Sequence, residues 1–170
     1  MENCINIEQS DITFETIRDK EYYPIELDEQ IKQSNVLLIP FENFREGYKI
    51  LFPEITRELY YYLKDNETEN LKIEVVANEE TFKEIELHDA ATIITSILFS
   101  SVSSIVLGLL TNFLYDKIKT IGKKPQEVIA KIDVYYEKTK TKKTVKISYE
   151  GSVDEMKHSI EKVIKDIENE

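Results

Sequence analysis

The run TIITSILFSSVSSIVLGLL, residues 92–110, constrains the fold most, because it has no charge in a chain whose residues are 32% charged. Between Ala90 and Tyr115 the only ionisable side chain is that tyrosine. A helix of about 20 apolar residues is long enough to cross a bilayer. The run therefore predicts a long helix over residues 90–118, either buried inside the protein or inserted in a membrane.

The flanks of the run give a membrane helix an unfavourable orientation. Acidic residues precede it and lysines follow it, so the positive-inside rule would send residues 1–89 across the membrane. That segment is acidic, has the pattern of folded structure and lacks the apolar stretch of a signal peptide. We expect a cytoplasmic protein. The alternative is a small effector of the inner membrane that uses residues 90–115 as a transmembrane helix.

Small residues within the run predict a contact surface. They recur at every fourth position, and on a helix this spacing lets two backbones approach closely. The sequence therefore predicts a seam for self-association or for a partner, made of Thr92, Ser96, Ser100, Ser104, Gly108 and Asn112.

The charge of the chain is divided unevenly. The net charge is −11, and residues 1–89 hold 9 Lys and Arg against 22 Asp and Glu. Such a surface repels phosphate, which argues against nucleic acid as a partner. A basic stretch lies near residue 140 and predicts docking of an acidic partner, or of the acidic half of another copy, at Lys138, Lys140, Lys142 and Lys143.

Few residues in the sequence could carry chemistry. Cys4 is the only cysteine, so no disulfide forms within the chain, and the two histidines, His88 and His158, are far apart. We predict no catalytic residue, no metal ligand and no cofactor. An enzyme would require Cys4 and His88 to cluster in an acidic pocket. The tyrosines of LYYYL and DVYY are predicted core and rim aromatics, and exposed ones would suit a protein interface.

Local patterns predict several further elements. Residues 34–40 are a compact apolar run typical of a buried strand, and Pro53 opens a helix that ends near Asn66. Residues 71–78 and 81–88 alternate like two strands joined by a tight turn. Residues 128–136 and 145–149 alternate as a hairpin, and an apolar stripe over residues 153–167 predicts a final amphipathic helix.

These elements predict an α+β fold, with mixed or antiparallel strands around a long central apolar helix and a β-β-α unit at the end. The chain divides into an acidic α/β half over 1–89, the central helix over 90–118, and a hairpin with an amphipathic helix over 119–170. We expect the three segments to form one compact unit.

The order of these parts resembles a known family. LKIEVVANEETFKEIEL, the Ser- and Thr-rich apolar helix, and AKIDVYYEKTKTKKTVKISYEG with its closing helix are similar in layout to small bacterial effector-associated constant components. The resemblance covers residues 70–168, is one of architecture, and transfers no functional residue. It implies a non-enzymatic adaptor or assembly component of a bacterial conflict or defence system, with an effector protein or a second copy as partner.

Overall fold

The fold is given by a computed structural model that describes residues 2–86 and 91–170. The described helices and strands confirm the predicted α+β class and the closing strand–strand–helix unit. The strands are β1 (Cys4–Ser10), β2 (Val36–Leu38), β3 (Phe41–Arg45), β4 (Tyr48–Leu51), β5 (Ile73–Val75), β6 (Thr92–Phe99), β7 (Ile129–Glu137) and β8 (Thr144–Ser152). The α-helices are α1 (Asp28–Gln33), α2 (Thr56–Asp65), α3 (Ser103–Thr120) and α4 (Val153–Glu168), and short 3₁₀ turns cover Thr16–Asp19, Ile25–Leu27 and Pro125–Glu127.

Six strands form one mixed sheet in the order β1-β8-β7-β6-β2-β5. Strand β6 lies inside the sheet, parallel to β7 and antiparallel to β2. Strand β8 is antiparallel to both of its neighbours, and β2 is parallel to β5. Strands β3 and β4 form a separate hairpin. The sheet therefore joins strands from all three predicted segments, and its two edges are β1 and β5.

The uncharged run does not form a single helix, so the prediction of a helix over residues 90–118 is wrong in its first half. Residues 92–99 are strand β6, and helix α3 begins at Ser103. Between them Ser101 adopts the left-handed conformation (φ 61°), which turns the chain. Strand β6 is rich in β-branched isoleucine and threonine, which favour a sheet. The predicted start of the helix at Ala90 lies outside the described residues.

The absence of alternation in β6 explains the wrong prediction. Strands on both sides and apolar side chains on both faces enclose it, and such strands are nearly continuously hydrophobic. An apolar helix follows the strand after three residues. The sequence therefore shows one long uncharged run, with no charged residue to separate the strand from the helix. Within residues 2–86 and 91–170, none of the helices combines the length and the apolar character that crossing a membrane requires.

Helices α2, α3 and α4 cover one face of the sheet and form the main core. Strand alternation turns Ile132 and Val134 of β7 toward these helices and Lys131 and Asp133 away from them. The helices contribute buried aliphatic side chains that fill the layer, among them Leu59, Leu63, Val106, Leu107, Leu110, Leu114, Met156, Ile160 and Ile164.

The opposite face of the sheet is only partly covered. Residues 11–33 lie over the part near β2 and form a smaller apolar cluster of Ile17, Ile31, Leu37, Ile39, Val76 and Leu98. The backbone N–H of Phe14 donates to the buried carboxylate of Glu137 at 2.8 Å and fastens this segment to the end of β7. Toward β1 the same face carries polar side chains.

The predicted hairpin of residues 71–78 and 81–88 is wrong. Only residues 73–75 form a strand, β5, and it pairs in parallel with β2. The Asn78 side-chain oxygen accepts hydrogen bonds from the N–H groups of Glu80 (3.0 Å) and Thr81 (2.9 Å), and this local turn redirects the chain. The next segment makes an isolated bridge between Phe52 and Glu84, and residues 87–88 lie outside the described residues.

Candidate interaction surfaces

The six residues of the predicted seam do not lie on one helix. Thr92 and Ser96 belong to β6, and Ser100 follows it. Only Ser104, Gly108 and Asn112 are helical, in α3. The predicted helical ladder is therefore wrong as a geometry.

The helical part of the ladder also has a neighbour within the same chain. A Cβ atom built on Gly108 would lie 3.9 Å from the Nζ atom of Lys157 on α4. Ser96 is buried inside the sheet, whereas Asn112 is exposed to solvent. The small residues thus occupy different environments.

The predicted lysine surface lies at the tip of the β7–β8 hairpin. Lys140, Lys142 and Lys143 are exposed, and Lys138 is half-buried. Lys142 has a left-handed backbone (φ 57°), and its N–H donates to the Lys138 carbonyl at 2.9 Å. The hairpin therefore presents these cations together, and its docking to an acidic partner stays a prediction.

A cleft of about 590 Å³ opens beside the edge strand β5 and was not predicted from the sequence. Three separate segments form it: residues 26–30 of the 3₁₀ turn and α1, one side of α2, and residues 74–82 of β5 and the loop after it. Its lining consists of Glu26, Leu27, Gln30, Arg57, Tyr60, Tyr61, Glu74, Val75, Ala77, Asn78, Glu79, Glu80 and Phe82.

Aromatic rings and one arginine form one wall of the cleft and give it a surface suited to protein binding. Tyr61 is 56% exposed, and its ring contacts that of Tyr60 with centroids 5.5 Å apart. The Arg57 guanidinium lies 4.7 Å from the centre of the Phe82 ring, which in turn stacks on Phe52. Tyrosine and arginine are enriched in the residues that dominate binding at protein interfaces.

The floor of the cleft holds a buried carboxylate whose hydrogen-bond partners all belong to the chain itself. Glu74 accepts hydrogen bonds from the Tyr60 hydroxyl and from the Val75 N–H, both at 3.1 Å, and lies 3.8 Å from the Lys64 ammonium. Burial, followed by the negative charge of Glu74, raises the pKa of Tyr60 well above its usual value. Tyr60 is therefore neutral at physiological pH and holds Glu74 in place.

The rim of the cleft is acidic. Glu26, Glu79 and Glu80 are exposed there, and Arg57 is the cationic side chain in the lining. Hydrogen bonds from the Glu26 backbone and from the Asn78 side chain lower the pKa of Glu26, so this rim carboxylate is charged at neutral pH. The cleft thus combines apolar surface with a negative border, which suits a cationic and partly apolar ligand.

Carboxylates also occupy the donors along the outer edge of β5. The N–H of Ile73 donates to Glu67 at 2.9 Å, and that of Val75 donates to Glu74. Because free edge donors invite pairing with another strand, these two bonds protect the β5 edge. The cleft is therefore better suited to side-chain recognition than to addition of a strand.

Glu67 makes the stability of this edge depend on pH. Burial raises the pKa of Glu67, but the Ile73 N–H and the Lys64 ammonium outweigh it, so the pKa lies below 4.5. The ionised carboxylate stabilises the fold above pH 4.5, and this stabilisation is lost as the pH falls through the lowered pKa. We expect Glu67→Gln to cost about 1 kcal/mol in the free energy of unfolding at neutral pH and less near pH 3, where part of this stabilisation is already lost.

Urea denaturation of both proteins at the two pH values measures this effect. Glu69→Gln is the matched control, since Glu69 is exposed and close by in the sequence. It should change the free energy of unfolding little at either pH. An equal cost of Glu67→Gln at neutral and acidic pH would show that the charge of Glu67 is not involved.

Of the candidate residues for chemistry, the structure describes Cys4 and His158 and places them on opposite sides of the sheet. Cys4 is exposed on β1 and points to the open face, whereas His158 is exposed on α4 in the helix layer. His88 lies outside the described residues. In the described parts of the chain no three His, Cys, Asp or Glu side chains are grouped as metal ligands.

The sequence contained one indirect signal for the cleft, the tyrosine run LYYYL. Tyr60 and Tyr61 of this run line the cleft, while Tyr62 turns inward and contacts Phe113 with ring centroids 5.4 Å apart. Three successive residues on a helix point in different directions, so a run of tyrosines leaves some rings exposed. The loop after β5 and the turn before α1 are brought to the cleft by tertiary packing.

Comparison of the chain with protein-family models, curated proteins and solved structures finds no match. The roles assigned to residues below therefore rest on their positions, contacts and charges in this chain.

Proposed function

We propose that the chain is a non-enzymatic adaptor or assembly component of a bacterial conflict or defence system, and that it binds an effector protein in the cleft beside β5. The observation that carries this proposal is the exposed Tyr61 next to the Arg57–Phe82 pair inside an acidic rim. The conflict-system setting is what the resemblance in architecture implies, and a cytoplasmic location is part of the proposal.

The composition of the cleft defines the chemistry of its partner. Four carboxylates and one guanidinium line it, so the partner should present lysine or arginine. The rings of Tyr60, Tyr61 and Phe82 supply apolar area that a neighbouring aromatic or aliphatic side chain of the partner would cover. The charge of the rim mainly accelerates and orients the encounter, while the aromatic wall contributes most of the affinity.

Selection from a random peptide display library on the immobilised protein tests the proposal. We expect the selected peptides to share a basic residue beside an aromatic or aliphatic one. Tyr61→Ala should weaken their binding by roughly 10-fold, as truncation of an interface hot spot does. The combined change Glu79→Lys and Glu80→Lys should weaken it and reduce its dependence on salt.

A matched control is Tyr48→Ala, since Tyr48 is an exposed tyrosine on the β3–β4 hairpin and does not line the cleft. It should leave peptide affinity unchanged. The proposal fails if selection enriches no basic–apolar pattern, or if the selected peptides bind Tyr61→Ala and Tyr48→Ala equally well.

A further inference from the structure

Strand β1 leaves one edge of the sheet without a partner among the described residues. It pairs with β8 through residues 4–10 in one continuous register. The Lys138 N–H donates to the Lys143 carbonyl at 2.9 Å, so odd-numbered residues of β8 bond to β7 and even-numbered ones to β1. The backbone N–H and C=O groups of Ile5, Ile7 and Gln9 therefore point away from the sheet.

The two edges of the sheet differ in protection. The donors of β5 are occupied by Glu67 and Glu74. Residues 4–10 contain no proline, and their register shows no bulge. Their one charged side chain, Glu8, is paired with Lys146 at 3.7 Å, so β1 has little protection against edge pairing. The side chain of Asn3 accepts a hydrogen bond from the Ser152 N–H at 3.2 Å and holds the start of β1 against β8. The exposed edge is thus also an ordered one.

Apolar side chains accompany this edge. The register with β8 turns Ile5 and Ile7 to the helix face, where they lie opposite Tyr149 and Ile147. Both are exposed, Ile7 to 51%. A second strand beside β1 would cover these two isoleucines as well as its backbone groups.

We propose that two copies of the chain pair their β1 strands in antiparallel fashion about a two-fold axis at Asn6, which joins the two six-stranded sheets into one. Ile5 of one copy then lies opposite Ile7 of the second copy, and Ile7 of the first lies opposite Ile5 of the second. The outward backbone groups of both strands meet as hydrogen-bonded pairs. Cys4 lies opposite Glu8 of the second copy, so no two like charges face each other.

The occupant is a second copy because the segment Ile5-Asn6-Ile7 is self-complementary. A two-fold axis at Asn6 pairs isoleucine with isoleucine on both sides, as an isologous interface requires. An axis at Ile7 would place Ile5 opposite the polar Gln9. The axis at Asn6 is therefore the register that buries both exposed isoleucines against apolar partners.

A disulfide test reads this register directly. Glu8→Cys places a thiol opposite Cys4 of the second copy, in a non-hydrogen-bonded pair whose Cα atoms lie about 4.5 Å apart, within disulfide range. Within one copy positions 4 and 8 are about 13 Å apart along the strand, too far for an internal bond. With oxidised glutathione as oxidant, we expect the variant to become a covalent dimer on a non-reducing gel.

The matched control is Ser10→Cys, because position 10 lies opposite Glu2 of the second copy in the proposed register. Under the same oxidation it should form no covalent dimer and should run as a single chain on the non-reducing gel. Equal cross-linking of the two variants, or none in either, would overturn the proposed register.

The mass in solution, from light scattering, tests the interface without any cross-link. We expect twice the mass of one chain for the unmodified protein and for Ile25→Lys, a change at an exposed isoleucine far from β1 in the sequence. Ile7→Lys should return the mass to that of one chain. A monomeric unmodified protein would overturn the proposal, as would an Ile7→Lys variant that stays dimeric. Tyr61→Ala should remain dimeric, so failure of the cleft and failure of the edge are separable.

Discussion

Leu107→Asp is expected to unfold the protein, whereas Ile105→Asp, two residues earlier in the same helix, is expected to be tolerated. Leu107 is 0% exposed between α3 and the sheet, and Ile105 is 53% exposed. A carboxylate at position 107 would lose the packing of leucine and leave an unpaired charge in the core. The expected cost is about 5 kcal/mol or more, comparable with the whole stability of a small domain.

Far-UV circular dichroism during urea denaturation measures both variants, which suits a chain that has no tryptophan. Ile105→Asp should change the free energy of unfolding by about 0.5 kcal/mol or less, as surface substitutions usually do. If the run were one membrane-spanning helix, aspartate would be similarly unfavourable at both neighbouring positions. Similar effects of the two substitutions would therefore contradict the burial of Leu107 in a core.

Phe99→Ala should be the second large effect, at about 3–5 kcal/mol. Phe99 is the last residue of strand β6 and is fully buried. Its ring contacts that of Tyr136 edge-on, with centroids 5.9 Å apart. Tyr136 in turn donates a hydrogen bond to Glu168 at 2.8 Å. The benzyl group of Phe99 thus connects the middle of the sheet to the end of α4, and its removal leaves a cavity between them.

Phe44→Ala is the matched control for this substitution. Phe44 is exposed on the β3–β4 hairpin and stacks on Phe41 with ring centroids 5.2 Å apart. Its loss should cost less than about 1 kcal/mol. Thermal and urea unfolding of the two alanine variants would reveal the difference, and equal destabilisation would contradict the central position of β6.

The C-terminal third of the fold could be predicted from sequence because its pattern is local. In β7 buried Ile132 and Val134 alternate with polar Lys131 and Asp133, and one covered face is enough to produce that signal. Helix α4 likewise has a clear apolar stripe, since only one side of it contacts the sheet.

Strand β6 could not be separated from α3 for the opposite reason. Ile97 and Leu98 are both fully buried, one under the helices and the other under residues 11–33, so adjacent positions are equally apolar. The small residues at every fourth position matched the spacing of one helical face, although they lie on a strand, a turn and a helix. A strand that is covered on both faces can be identified only from the elements packed around it. The sequence of the strand alone does not contain that information.

The two proposed binding surfaces differ in the same way. The self-complementary edge consists of three consecutive residues of β1, Ile5-Asn6-Ile7, and can be read from the sequence. Its exposure, however, depends on β1 being an edge strand of the sheet. The cleft depends still more on tertiary structure, because Glu26, Arg57 and Phe82 come from three distant segments. Only the tyrosine run in α2 marked its location in the sequence.

Carbon chemical shifts of the isotope-labelled protein in detergent-free buffer would show directly whether the uncharged run is a core strand followed by a helix. We expect strand-type Cα and Cβ shifts throughout residues 92–99 and helix-type shifts from Ser103 to Thr120. Helix-type shifts that continue without interruption from Thr92 to Asn112 would contradict this expectation and restore the single helix with its seam of small residues.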